Sequence, residues 1–347
     1  MARPPFPNSV DEITPTWLNR TLAGAGVVSA VQTVRIGQDE GFSGCRLYRL
    51  TLDQEARSLV AKLSPADPQV ARRMAGANAR EVAFYAAHGR DAGLPLPRCH
   101  VALFDVATGA SLLILQDLGQ HRAVPFGTGL GGKDAALALR ALAGLHARRW
   151  DDPGLPATET LQQTWPFDTL WPAYLDHVAR TMPDLPLPRS LRALGDRIAA
   201  DPINACARLA GTGPRTRIHG DAQADNLRFA GGPGGPQALI LDWQLTGIGA
   251  GMSDVGYLLI SSLTPALRRQ HERRLIETWR AALAERGVTT EPDHDGYLRA
   301  AAGKLWITVA ATLQYDNASP AKQRWRRTDL ERLAAFCADH DPAAAFG

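Results

Sequence analysis

Long apolar runs are missing from this 347-residue chain. The longest, such as 111–115 and 255–260, fall far short of the ~20 residues that cross a bilayer. The opening Met-Ala-Arg-Pro-Pro-Phe-Pro holds no apolar segment of the signal-peptide kind. Both points lead to the expectation of a cytoplasmic protein with no membrane partner. Cysteine is scarce: Cys45, Cys99, Cys206 and Cys337 stand singly, without the paired spacing of a zinc site or a disulfide framework, and read as reduced thiols. Neither sign of charge dominates. With 38 Lys and Arg against 35 Asp and Glu the formal charge is +3, too small to expect nucleic acid as a partner. The one basic cluster, Arg324-Trp325-Arg326-Arg327, reads as a solvated helix face, with an anion-binding lip as the alternative. An apolar fraction of 45% and a charged fraction of 21% are globular values, and the length allows two domains or lobes.

What is present centres on 217–243. The run His219-Gly220-Asp221-Ala-Gln-Ala-Asp225-Asn226 is followed by a Gly/Pro-rich turn and then by Ala-Leu-Ile-Leu-Asp242-Trp243. A carboxylate and a carboxamide share a loop, and a second carboxylate ends an apolar strand. Moving a γ-phosphoryl group needs an acceptor oxygen held in line and Mg²⁺ to neutralise phosphate charge, with little covalent work for the protein. Asp221 then takes the acceptor's hydroxyl proton, and Asn226 and Asp242 supply hard oxygen ligands to Mg²⁺. The plain alternative is a turn-capping Asp and a structural Asp at a strand end.

The spacing Asp-x-x-x-x-Asn matches the second half of the protein-kinase catalytic loop, opened here by His-Gly-Asp in place of His-Arg-Asp. His219-Gly220-Asp221 with Asn226, followed by Leu-Ile-Leu-Asp242-Trp243-Gln244, resembles the aminoglycoside phosphotransferase and choline kinase superfamily of small-molecule kinases. Asp242-Trp243-Gln244 and the later Asp254-Val-Gly-Tyr-Leu-Leu look most like its ecdysteroid-kinase-like branch. The resemblance implies an α+β, bilobal protein-kinase-like fold. An N-terminal nucleotide-binding lobe, 1–116, would hold an antiparallel sheet and one helix, and a mostly helical lobe, 117–347, would hold the catalytic loop and the acceptor.

Alternation predicts strands at 29–36, 46–52, 58–63, 101–104 and 111–115, and helical periodicity predicts a helix at 70–88. Between the first two strands lies Gly37-Gln-Asp-Glu-Gly41-Phe42-Ser43-Gly44. Such a turn lets backbone N–H groups approach phosphate oxygens, which makes Gly41, Ser43 and Gly44 candidate ATP contacts; a hairpin without a ligand has the same composition. Lys62, a lone lysine in the apolar third strand, resembles the Val-Ala-Ile-Lys lysine that holds α/β-phosphates. It could instead snorkel to solvent. Glu81, on the helix face shared with Met74, Ala77, Phe84 and Tyr85, is placed to pair with it. At the junction of the lobes the resemblance makes Leu115, Gln116, Asp117 and Leu118 the hinge that reads adenine, although a plain linker would have the same composition.

From 132 onward helices are expected at 134–149, 167–181, 188–209, from 253, at 265–286, 293–315 and 320–340, two of them opened by Thr264-Pro265 and Ser319-Pro320. His146 reads as a packed polar residue, and the resemblance makes Asp254 a brace for the catalytic loop. Trp306, Gln314, Tyr315 and Trp325 read as core, with an acceptor pocket as the alternative. The expected reaction joins ATP to a small hydroxylated acceptor, giving a phosphate ester and ADP, in a monomer or weak homodimer. Segment 293–325 sets Asp293, Asp295 and Asp316 against Arg299, Lys304, Lys322 and Arg324. That balance favours a neutral or anionic, partly apolar acceptor over a polycationic aminoglycoside. The rival readings are an aminoglycoside-type resistance kinase, a nucleotide-binding pseudokinase acting as a regulatory module, and a protein serine/threonine kinase. The short path from Trp243 to the helix at 253 speaks against the last.

Overall fold

The structure is a computed structural model that describes residues 6–22, 27–37, 44–53, 57–88, 92–156, 165–210, 213–231, 235–314 and 319–346. By backbone packing the chain separates into two units. One comprises residues 1–91, 96–121 and 242–244, and the other residues 92–95, 122–241 and 245–347.

The first unit opens with helix α1 (Pro15–Thr21), which starts where Thr14 accepts the Trp17 N–H on its side chain and Pro15 fills the first helical position. Strands β1 (Val31–Ile36), β2 (Arg46–Leu52), β3 (Arg57–Leu63), β4 (Cys99–Phe104) and β5 (Ser111–Gln116) form one antiparallel sheet in the order β1-β2-β3-β5-β4. The period of two sorts their side chains. Leu59, Ala61 and Leu63 of β3 join Leu112 and Ile114 of β5 in a core with Trp17 and Leu18. Lys62, opposite Leu113 in the register, therefore emerges on the other face. That face is covered by helix α2 (Pro68–His88), whose buried residues Met74, Ala77, Glu81, Val82, Phe84 and Tyr85 recur at helical spacing.

The second unit is mostly helical. It contains α3 (Gly132–Ala147), α4 (Phe167–Thr181), α5 (Arg189–Ala200) and α6 (Pro202–Ala210). Two short antiparallel ribbons follow, β6 (Thr216–Ile218) with β9 (Gly247–Gly249) and β7 (Leu227–Ala230) with β8 (Gln237–Ile240). The chain then forms α7 (Gly251–Ser262), α8 (Pro265–Ala284), α9 (His294–Gln314) and α10 (Pro320–Asp339). Helix α3 packs on α8, and α9 packs on α7, α4 and α10.

The α+β expectation holds, with two corrections among the helices. The helix expected over 188–209 is broken in two, because Pro202 has no N–H to continue the ladder and Asp201 turns to cap α6, accepting the Asn204 N–H at 3.1 Å. The basic cluster on α10 is not a solvated face throughout: Arg326 is 4% exposed, while Arg327 pairs outward with Asp184 and Glu331. No described helix is long and apolar enough to cross a membrane.

Candidate active site

In the first unit the strand lysine is held between two acids. Lys62 Nζ lies 2.8 Å from Glu81 Oε2 and 3.0 Å from Asp242 Oδ1. Burial alone would pull the Lys62 ammonium toward its neutral form, but the Asp242 and Glu81 carboxylates outweigh it and hold the group well above its ordinary range. The lysine is thus charged and does not snorkel. Glu81 also accepts the Trp243 N–H at 3.3 Å, and the Trp243 ring stacks on Phe84 with centroids 3.7 Å apart. Asp242 sits at φ 62°, a left-handed conformation uncommon outside glycine, and its side chain is 36% exposed. Gln244 closes the segment by donating to Asn78 Oδ1 at 2.8 Å.

Of the turn residues, Gly44 lies at φ +70°, where an L side chain is strained, while Gly41 and Ser43 lie outside the described residues. At the expected hinge, Leu115 and Gln116 are the last residues of β5, and the Gln116 N–H bonds the Arg98 carbonyl. Leu118 is buried and accepts the His121 N–H. The Asp117 side chain is already engaged: its carboxylate takes Arg49 Nε at 2.6 Å, Ser58 Oγ at 2.7 Å and the Gly119 N–H at 2.8 Å.

In the second unit the His-Gly-Asp run forms a loop between β6 and β7 that α7 braces from beneath. Asp254, fully buried, accepts the His219 N–H at 2.6 Å on one oxygen and the Gly220 N–H at 2.8 Å on the other. His146 joins the same carboxylate at 3.1 Å. Trp279 Nε1 donates to His146 Nδ1, which leaves Nε2 to face Asp254. Burial would raise the Asp254 carboxyl, yet its donors hold it below the usual carboxylate range. Gly220 is at φ +84°, and a Cβ there would run into the Leu245 carbonyl. The loop therefore has room only for glycine.

This scaffold presents Asp221 with every side-chain oxygen partnered. Oδ1 accepts the Tyr257 hydroxyl at 2.7 Å, and Oδ2 accepts Asn226 Nδ2 at 3.0 Å and Gln223 Nε2 at 3.2 Å. Asn226 Nδ2 also reaches the Asp221 carbonyl at 2.9 Å, which turns the carboxamide oxygen away from Asp221. The Leu241 N–H bonds the Asn226 carbonyl at 2.8 Å, and Asp242 is the next residue along the chain.

Sequence reasoning gives no role to what stands behind Asp221. Tyr257 is visible there only as a letter in the motif after Asp254. Lys304, 1% exposed, lies 3.4 Å from the Tyr257 hydroxyl and 2.6 Å from Asp329, which is buried as well. The signal that could have found it is the run Ala300-Ala-Ala-Gly-Lys304-Leu-Trp-Ile: a helix apolar all round is buried, and a lone lysine in it requires a partner. Trp306 is core, as expected, and donates to the Trp165 carbonyl. Trp325 is half-buried, stacked on Phe126, and Tyr315 lies outside the described residues.

Among the described residues no group of three or more His, Cys, Asp or Glu side chains gathers as a metal cage. Mg²⁺ bound with a nucleotide takes few protein ligands and completes its shell with water and phosphate oxygens, so the donor chemistry of one carboxylate and one carboxamide fits it.

The chain matches the model of the phosphotransferase enzyme family over residues 18–285. Among solved structures it is similar to a choline/ethanolamine kinase family protein from Mesorhizobium loti, with 17% identity, 94% of this chain and 96% of that one covered, and a TM-score of 0.50. It is also similar to a Plasmodium vivax ethanolamine kinase, with 10% identity, coverage of 86% and 80%, and a TM-score of 0.51. A third is the GDP and kanamycin complex of APH(2")-IIia, with 18% identity, coverage of 94% and 98%, and a TM-score of 0.52. At these identities the likeness shows the fold. No curated protein sequence matches the chain.

Proposed function

The chain belongs to the phosphotransferase enzyme family, and on that premise we propose that it transfers the γ-phosphoryl group of ATP to a hydroxyl of a small molecule. The observation that carries this reading is Lys62, charged and fixed between Glu81 and Asp242. A lysine so held keeps its ammonium at one point in space, as binding a polyphosphate requires. Ethanolamine, choline and kanamycin, named in the three similar structures, support a small acceptor, and the GDP in one of them supports nucleotide use.

The first unit binds the nucleotide. Lys62 and Gly44 contact phosphate oxygens, Gly41 and Ser43 of the same sequence motif are further candidate contacts, and Leu115 to Leu118 read the base. Asp221 orients the acceptor hydroxyl and receives its proton as the acceptor oxygen bonds to the γ-phosphorus and the bond from that phosphorus to the ADP oxygen breaks. Tyr257 and Asn226 keep the Asp221 carboxylate from rotating, and Asp254 keeps the loop beneath it rigid. Asp242 and Asn226 are the oxygen donors for Mg²⁺, which when bound neutralises the charge of the transferring phosphoryl group. The test is ADP release from Mg-ATP over a panel of hydroxylated metabolites and antibiotics. Acceptor-dependent release is the expected result; release that no acceptor raises, with ATP bound, would refute the reading.

A further inference from the structure

Resting on that phosphotransfer reading, the surroundings of Asp221 in the second unit name the class of the acceptor. One aromatic residue, Tyr257, bonds this carboxylate, two more, Trp325 and Phe126, bond the nearby Asp225, and each ring already carries a cation of the protein's own. The Lys304 ammonium lies 4.6 Å from the Tyr257 ring centroid and 5.6 Å from that of Trp325. The Arg326 guanidinium lies 5.0 Å from the Trp325 centroid. Arg332 lies 4.8 Å from the centroid of Phe126, which stacks on Trp325 at 4.2 Å. These cations are internal: Lys304, Arg326 and Arg332 are 1%, 4% and 3% exposed.

The acids are equally committed to internal donors. Asp329 holds Lys304 at 2.6 Å and Thr308 Oγ1 at 2.8 Å. Asp225 takes Trp325 Nε1 at 2.8 Å and the Phe126 N–H at 3.1 Å. Asp221 is held by Tyr257, Asn226 and Gln223.

A protein that recognises an alcohol bearing an ammonium offers it the open face of an aromatic ring. Here the ring faces are taken by buried cations, and a second positive charge brought toward Asp221 would meet Lys304 and Arg326. We infer that the chain selects an uncharged or anionic hydroxylated acceptor, and that the buried Lys304 ammonium on α9 is what excludes an acceptor ammonium from the neighbourhood of Asp221. In this it differs in acceptor class from relatives named for choline and ethanolamine. Those acceptors are cationic near neutral pH.

The test uses an isosteric pair, choline and 3,3-dimethylbutan-1-ol, which differ in charge and hardly in shape. Each is assayed with Mg-ATP on the full chain, as an acceptor and as a competitor of the best acceptor in the panel. The neutral alcohol should be preferred by about tenfold or more, since like charges brought together oppose binding. In Lys304→Met/Asp329→Asn, where no buried carboxylate is left unpaired, that ratio should fall toward unity. A purely structural role for Lys304 would lower both alcohols together and leave the ratio where it was, which overturns the assignment. So does a preference for choline in the wild-type chain, a measurement that needs no variant to fold. Failure of every acceptor to raise ADP release refutes the phosphotransfer reading and takes this inference with it, an outcome distinct from an active enzyme that prefers choline.

Discussion

At the scale of single residues, the assignments separate by which step each substitution disturbs. Asp221→Asn touches no proposed nucleotide contact, so nucleotide affinity should persist while kcat falls by roughly 10²- to 10⁴-fold, the usual contribution of a general base. Isothermal titration with ATP beside steady-state kinetics checks both halves. Asp242→Ala should abolish the Mg²⁺ dependence of ATP affinity, whereas Asn226→Ala should only weaken it, because a neutral carboxamide oxygen supplies less charge. Equal Mg²⁺ dependence in the wild-type chain and Asp242→Ala would refute that ranking. Most of these residues are legible in the sequence, because His219 to Asn226 and Leu239 to Trp243 are contiguous and their spacing carries the chemistry. Lys304, Arg326 and Asp329 are not. They reach the back of Asp221 from two helices far along the chain, and Arg326 reads as solvated because its sequence neighbours are basic.

At the scale of elements, the braced loop is the feature with a measurable cost. Asp254 on α7 collects the His219 and Gly220 N–H groups and His146 on one buried carboxylate. Asp254→Asn replaces an acceptor oxygen with an amide that faces donors, and should destabilise the fold by on the order of 3 kcal/mol. The sign with pH follows from the lowered carboxyl. Its contribution is present above the ordinary Asp value of about 3.9 and is lost as pH falls through the lower folded value. Acid unfolding of the wild-type chain should therefore take up a proton that the Asn variant does not, and comparing the pH dependence of urea unfolding reads this directly. The helices themselves are visible as periodic runs. The break at Pro202 escapes the pattern because the amphipathic stripe of 188–209 continues across it, and only the missing N–H and the Asp201 cap interrupt the backbone.

At the scale of the whole molecule, ligand binding should be readable as stability. Mg-ATP at one hundred times its Kd should stabilise the chain by about 2.7 kcal/mol, seen as a rise in Tm. Lys62→Ala should lose that rise, since the phosphate contact goes and Glu81 and Asp242 are left facing each other's charge. A wild-type Tm that does not move with Mg-ATP would count against nucleotide binding.

Residues 242–244 belong by packing to the first unit, although the chain on both sides of them belongs to the second. During synthesis, then, the sheet and α2 leave the ribosome more than a hundred residues before Asp242 and Trp243 exist. Until those arrive, Lys62 has one counter-ion in place of two, and Phe84 lacks the indole that covers it. The first unit cannot complete its interior while it is the only part made, so a nascent chain halted near residue 121 should expose apolar surface and depend on chaperones. The release of that dependence should coincide with the emergence of the Leu-Asp-Trp-Gln segment, the last piece the sheet and helix are waiting for.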